Sequence, residues 1–180
     1  MKATGIVRRI DDLGRVVIPK EIRRTMRIRE GDPLEIYTDK DGGVIFKKYS
    51  LMGGVAEFAG QLCDTLNRTT GQLTVITDRD SCVAVAGVPR RELADRRISR
   101  QLEQLMEGRQ IYQYREGEPP VPLCDDSDRY AVAIAAPILS EGDVLGCVLF
   151  AGSPDQLTEG EVEYKLAQSI AAFLGRHMEG

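Results

Sequence analysis

The spacing of apolar and polar residues changes near residue 50. Before that point, short β-branched runs flank turn residues: GIVRRI and RVVIP surround DDLG, and PLEIYT and GVIFKK surround DKDG. This pattern predicts two β-hairpins. Between them Ile18, Ile22 and Met26 recur every four residues, which predicts a short helix whose first residue is Pro19.

After residue 50 the pattern predicts longer helices that alternate with strands. An apolar stripe from Val55 to Leu66 predicts a helix that ends near Gly71. LTVIT, CVAVAG and IYQYREG predict strands, and residues 90–108 predict a second helix. RYAVAIAAPIL and VLGCVLFAG predict two long antiparallel strands joined by SEGD. Thr158 and Glu161 fit a capping box at the start of a last helix.

These elements predict an α+β protein with two domains, residues 1–52 and 53–180, divided at Gly53-Gly54. The second domain is expected to pack helices on an antiparallel sheet. The first domain has few aromatic residues and no tryptophan or cysteine, so it cannot build a sufficient core alone. Because disulfides and a metal are not available to it, we expect it to form an obligate homodimer.

The charge of the chain is divided in the same way. Residues 1–50 carry 12 Lys and Arg against 8 Asp and Glu, a net of +4, whereas residues 51–180 carry 12 against 20, a net of -8. The first domain therefore favours a polyanion as its partner. No apolar run is long enough to span a bilayer and none resembles a signal peptide, so we expect a cytoplasmic protein without a membrane partner.

Arginines account for most of the positive charge near the start of the chain. Residues 5–30 contain seven of them: Arg8, Arg9, Arg15, Arg23, Arg24, Arg27 and Arg29. The planar guanidinium group suits phosphate oxygens and the guanine edge. A dimer would repeat the set about a two-fold axis, which matches the pseudo-symmetry of duplex DNA. These residues favour nucleic-acid binding, and a solvated charged surface is the alternative.

Few residues of this sequence are candidates for catalysis. The one histidine, His177, falls on a predicted helix stripe, and no nucleophile elbow, phosphate-binding loop or zinc-protease motif is present. Cys63, Cys82, Cys124 and Cys147 are far apart and are interpreted as buried apolar residues, so we expect no metal site and no enzyme. A thiol-dependent reductase is an alternative, and Cys124, in a proline-rich loop, is its candidate exposed thiol.

The stretch ATGIVRRIDDLGRVVIPKEIRRTMRIREGDPLEIYTDKDGGVIFKKY resembles the AbrB-type transition-state regulators, whose motif D-x-x-G-R-V-x-I-P-x-E-(I/L)-R it contains. The resemblance implies a swapped-hairpin β-barrel, in which two chains interleave and bind double-stranded DNA. It implies DNA contacts by Arg8, Arg15, Arg23 and Arg24. Arg9 stands where the family commonly has a basic residue, and we add it to the set.

The remainder of the chain resembles GAF domains, which implies a module for assembly or for sensing a small ligand. No cofactor or ligand can be identified from the residues. The amphipathic helices at the two ends of this domain, residues 55–69 and 158–178, can join two dimers into a homotetramer.

The pairing of the two domains resembles sporulation regulators and implies a transcription regulator, activator or repressor, of developmental genes. An antitoxin-like swapped-hairpin module is the alternative among binding proteins.

Overall fold

The computed structural model describes residues 4–158 and 160–178. The chain divides into two compact units, of which the first ends at Tyr49 and the second begins at Ser50. A 3₁₀ turn over Leu51–Val55 opens the second unit and contains the Gly53-Gly54 pair at which the sequence predicted a division.

The first unit contains one short helix and one β-hairpin. Helix α1 spans Lys20–Met26, and strands β1 (Leu34–Thr38) and β2 (Val44–Lys48) pair antiparallel. Pro19 is the N-cap of α1 rather than its first residue, and Arg27 ends the helix with a left-handed backbone. At the hairpin turn, Gly42 has a φ of 83° and the Asp39 carboxylate accepts bonds from two backbone amides. The helix and the second predicted hairpin are confirmed.

Of the first predicted hairpin only the turn is present. Asp11 N donates to Arg15 O over 3.0 Å, Gly14 N donates to Asp11 O over 3.0 Å, and Gly14 has a φ of 76°. The segments 4–10 and 16–19 form no strand in the described part of this chain. The prediction of strands there is wrong for the chain alone, because a strand needs a neighbour to bind its backbone groups and neither segment has one.

The second unit is built on a six-stranded antiparallel sheet. Its strand order is β4-β3-β8-β7-β5, and β6 pairs with β7 as well. The strands, in chain order, are β3 (Leu73–Asp78), β4 (Cys82–Ala86), β5 (Tyr112–Gln113), β6 (Pro122–Cys124), β7 (Ser127–Ser140) and β8 (Asp143–Gly152). The predicted pairing of the long strands β7 and β8 across Glu141-Gly142 is confirmed.

Helices cover both faces of this sheet. Helices α2 (Ala56–Thr70) and α4 (Glu161–His177) pack on one face, where Ile76 and Phe150 belong to their core. Helix α3 (Arg100–Glu107) packs on the other face with Val75 and Leu149. Because neighbouring residues of a strand point to opposite faces, each central strand supplies both cores. The α+β class and the antiparallel sheet with packed helices, expected for a GAF-like domain, are confirmed.

The second predicted helix is much shorter than expected. Arg90–Glu92 form a 3₁₀ turn, and α3 begins only after Ser99, whose side chain accepts a bond from Leu102 N. Between them the backbone bonds to strands and loops: Ile98 N donates to Asp80 O over 2.9 Å and Ser99 N donates to Leu123 O over 3.0 Å. These tertiary hydrogen bonds outweigh the helical pattern of the segment.

The start of the last helix also differs from the prediction. Gly160 is the N-cap of α4, and among residues 4–158 and 160–178 no side chain caps the helix. Tyr164 N donates to Gly160 O over 3.0 Å, so the first helical bond begins two residues after Thr158. The predicted capping box of Thr158 and Glu161 is therefore wrong.

Across residues 4–158 and 160–178, no helix has the length and apolar character needed to cross a bilayer.

Candidate nucleic-acid interface

The five candidate arginines are all exposed on the first unit. Arg8 and Arg9 precede the Asp11–Arg15 turn, Arg15 ends it, and Arg23 and Arg24 occupy the last turn of α1. Thus the structure places three of them on the irregular segment 4–19 and two on the helix. Within the described residues, Arg8, Arg9, Arg23 and Arg24 form no ion pair, so their guanidinium groups are available to an external anion.

Arg15 differs from the other four because it has a partner on the same turn. Its Nε donates to Asp11 Oδ2 over 2.8 Å, and its backbone N donates to Asp11 Oδ1 over 2.8 Å. Leu13 N donates to the same Oδ1 over 3.0 Å. These bonds lower the pKa of the Asp11 carboxyl. The bond from the Arg15 backbone has the largest effect, and the bond from the Arg15 side chain has the next largest. The turn is therefore closed by an ionised carboxylate.

Helix α1 is anchored at its C-terminal end by a residue of β2. Lys48 Nζ donates to Arg27 O over 2.8 Å and lies 3.4 Å from Asp32 Oδ2. Asp32 in turn accepts a 2.8 Å bond from Arg29 N, and its side chain is only 4% exposed. A cation that binds the last carbonyls of a helix favours the helix end. Lys48 thus fixes the end of α1 that carries the helical arginines.

Sequence reasoning missed Lys48 and Asp32. Lys48 lies 21 residues after Arg27, and no local pattern relates the two. The only signal near Asp32 is its position after Gly31, which has a φ of 83° and marks a turn. The Asp11–Arg15 spacing was visible but could equally belong to a solvated turn.

The first unit also exposes many large apolar side chains. On the segment around the turn, Val7 is 86% exposed and Val17 is 71% exposed. Others on this segment, on α1 and on the hairpin are Ile6, Ile10, Leu13, Val16, Met26, Ile36, Tyr37, Val44, Phe46 and Tyr49. A folded chain does not ordinarily leave an apolar surface of this extent in water.

The cysteines of the second unit are all buried and free. Cys124, predicted as the exposed thiol, is 2% exposed because its loop contains strand β6, so that prediction is wrong. Burial raises the pKa of Cys63 to about 12 and also raises the pKa of Cys147. The pKa of Cys82 is raised by its interaction with the neighbouring Cys124 thiol and by burial.

The second unit contains one small cavity among those that its described residues line. A cavity at one end of the sheet, lined by Gln72, Phe150, Leu157 and Glu163 among others, has a volume of about 20 Å³. This is room for about one water molecule and is too little for a metabolite. The described residues also contain no group of three or more His, Cys, Asp or Glu placed to hold a metal ion.

Comparisons with known proteins match both units. The family model described as "Stage V sporulation protein T C-terminal, transcription factor" matches residues 54–179. The model described as "Antidote-toxin recognition MazE, bacterial antitoxin" matches residues 7–51. Stage V sporulation protein T of Bacillus subtilis (strain 168) is 48% identical to this chain over 183 residues, which cover 99% of each protein.

Two further similarities concern parts of the chain. The transition state regulatory protein AbrB of Bacillus subtilis (strain 168) is 65% identical over 49 residues, 27% of this chain and 50% of AbrB. The solution structure of its N-terminal DNA recognition domain covers 28% of this chain and 92% of its own, at 64% identity and a TM-score of 0.25. Type II free methionine-R-sulfoxide reductase from Thermoplasma acidophilum has a TM-score of 0.52 at 14% identity, covering 72% of this chain and 95% of its own, and shares the fold alone.

Proposed function

Since this chain belongs to the family of stage V sporulation protein T, we propose that it is a transcription regulator of sporulation genes that binds duplex DNA through its first unit. The observation that carries the proposal is the set of exposed guanidinium groups at Arg8, Arg9, Arg23 and Arg24, which form no ion pair with any residue that the structure describes. Together with Arg15 they form the proposed DNA surface, which we call the arginine surface. Because chromosomal DNA is the proposed partner, we expect the protein in the cytoplasm.

The arginine surface acts as part of a homodimer. The exposed apolar side chains of residues 6–49 support this assembly, since two copies of the first unit can cover each other's apolar surface. The segments 4–10 and 16–19, which have no strand partner in one chain, gain one if the two chains interleave as a swapped-hairpin barrel. A two-fold dimer then presents two copies of the arginine surface to a duplex.

The second unit serves assembly in this proposal. Phe173 of α4 is 50% exposed. Its ring is stacked with that of His177 and lies tilted against that of Phe58 of α2. Val162, also on α4, is 65% exposed. Such an aromatic surface on paired helices suits contact with the same helices of another copy, which would join two dimers into a homotetramer. Sensing of a small ligand is the alternative role of this unit, although the cavity described above has room for only about one water.

Two other functions have weaker support. The match to the antitoxin model covers residues 7–51, but a toxin-binding tail is disordered alone, whereas the second unit is a folded sheet with helices. A thiol-dependent reductase needs an accessible thiolate, and the four cysteines are buried. We therefore propose a protein that acts by binding DNA rather than by catalysis.

The proposal is tested by two variants that remove the same number of arginines. Arg23→Ala/Arg24→Ala removes the pair on α1, and Arg90→Ala/Arg91→Ala removes an adjacent exposed pair on the second unit. We expect the first variant to bind a promoter-length duplex at least about tenfold more weakly, because two phosphate contacts per chain are lost. The control variant should bind like the wild type. Equal affinities for all three proteins would refute the arginine surface.

A further inference from the structure

Asp11 is a carboxylate in the middle of the arginine surface. Its side chain is 38% exposed, and it lies three residues after Arg8 and four before Arg15. A negative charge there repels phosphate, so it lowers the affinity for any DNA sequence. The neighbouring Asp12 has the same charge but forms no hydrogen bond or ion pair among the described residues. Asp11 therefore differs from Asp12 in its bonds within the turn rather than in its charge.

The bonds of Asp11 fix one side of the Arg15 guanidinium. Oδ1 accepts from the backbone amides of Leu13 and Arg15, which orients the carboxylate, and Oδ2 accepts from Arg15 Nε over 2.8 Å. Arg15 has no other partner in the described chain, and its side chain is 70% exposed. The Nε side is thus held by Asp11, and no described residue bonds to the two terminal nitrogens.

We propose that Asp11 is a positioning residue that orients Arg15 toward the edge of a guanine in the major groove, so that Arg15 reads sequence while the unpaired arginines contact phosphates. This inference rests on the proposed function. Two parallel donors in a fixed plane match the O6 and N7 acceptors of guanine. The carboxylate cancels most of the attraction of this one guanidinium for the phosphate backbone, so binding by Arg15 depends on the base.

The pairing is maintained throughout the range in which DNA is bound. The bonds from Arg15 lower the pKa of Asp11. The carboxylate is therefore ionised at every pH above its ordinary value of 3.8. The charged neighbours on the same irregular segment are Arg8, Arg9 and Asp12, and all are exposed.

Three variants separate orientation from charge. Asp11→Asn removes the ionic bond to Nε, and Asp12→Asn removes the same charge from the next residue as a matched control. Arg15→Lys keeps the positive charge and leaves the backbone bonds of Asp11 in place, but it removes the planar fork. The probe is a pool of random 30-base-pair duplexes, from which the full-length wild-type protein selects its preferred sequence. Thermal melts confirm that each variant is folded.

We expect Arg15→Lys and Asp11→Asn to lose the preference for a guanine at one position per half-site by about 5- to 150-fold, the discrimination of one bidentate contact. Asp12→Asn should keep that preference. Asp11→Asn should also bind the unselected pool more tightly than Asp12→Asn does, with a salt dependence steeper by up to about 0.9 per chain, because the released Arg15 reaches a phosphate.

Failure of this inference differs from failure of the proposed function. If the wild type selects a sequence and Arg15→Lys selects the same one with the same discrimination, Arg15 contacts phosphate and the inference is overturned. The same holds if Asp11→Asn and Asp12→Asn behave alike, since Asp11 would then act only through its charge. Absence of any binding by the wild type overturns the proposed function itself.

Discussion

Single side chains hold the arginine surface in place, and Lys48 is the clearest case. It lies on β2, yet it binds the carbonyl that ends α1 and lies beside the buried carboxylate of Asp32. Its side chain is 24% exposed, so solvent only partly screens these interactions. A helix of seven residues is too short to be stable by itself. The position of Arg23 and Arg24 therefore depends on this tertiary contact.

Replacing Lys48 should weaken the fold of the first unit. We expect Lys48→Ala to lower the free energy of unfolding by about 1 to 3 kcal/mol, because a charged hydrogen bond is lost and Asp32 loses a partner. The control is Lys40→Ala, an exposed lysine of the hairpin turn that should be nearly neutral. Urea unfolding followed by circular dichroism measures both. Equal stability of the two variants would show that the contact does not stabilise the helix.

The thiol reactivity of the buried cysteines tests the reductase alternative. Burial raises the pKa of Cys63 to about 12 and also raises that of Cys147. An ordinary exposed thiol is half ionised at about pH 8.5, whereas these two are neutral there. We therefore expect iodoacetamide to leave both unmodified in the folded protein at that pH and to modify them in denaturant. Fast modification of the folded protein would reopen the reductase alternative.

At the scale of the element, helix α4 and strand β7 approach each other closely at one glycine. A Cβ added at Gly175 would overlap the backbone carbonyl of Leu139. A backbone atom cannot move aside as the end of a flexible side chain can. The close approach places Leu174 in the core between helix and sheet, where it is fully buried.

Alanine at two helical glycines should therefore have opposite effects. We expect Gly175→Ala to destabilise the second unit by about 1 to 3 kcal/mol through overpacking. Gly60→Ala, in α2, meets no atom within 4 Å and should stabilise by up to about 1 kcal/mol, since alanine favours a helix. Differential scanning calorimetry of the two variants measures the difference. Equal melting temperatures would contradict the close packing of α4 on β7.

Elements were predictable from the sequence where local patterns determine them. The long apolar run of β7 and the apolar stripe of α2 lie in one continuous stretch each, so the local sequence is enough to find them. Residues 93–99 read as helix but bond to Asp80 and Leu123, which are distant in sequence. The arginines of the candidate site were visible as charge. The contacts of Lys48 and the orientation of Arg15 by Asp11 required the folded backbone.

The protein as a whole needs more than one chain to cover its exposed apolar surface. The first unit exposes most of its large apolar side chains, and a second copy is the proposed cover. We expect sedimentation to give the mass of four chains at micromolar concentration. Phe173→Glu, at the exposed aromatic surface of α4, should reduce this to two chains, because a charge buried against another copy is costly. A wild-type mass of one chain would contradict both proposed interfaces.

The salt dependence of duplex binding by the full-length protein tests the arginine surface directly. A dimer that places Arg8, Arg9, Arg23 and Arg24 of each chain on phosphates predicts a slope of log affinity against log salt of up to about -7, from roughly -0.9 per contact. Removing Arg23 and Arg24 should reduce that slope by about half. A shallow wild-type slope, or one that the variant leaves unchanged, would contradict the arginine surface as the site that binds DNA.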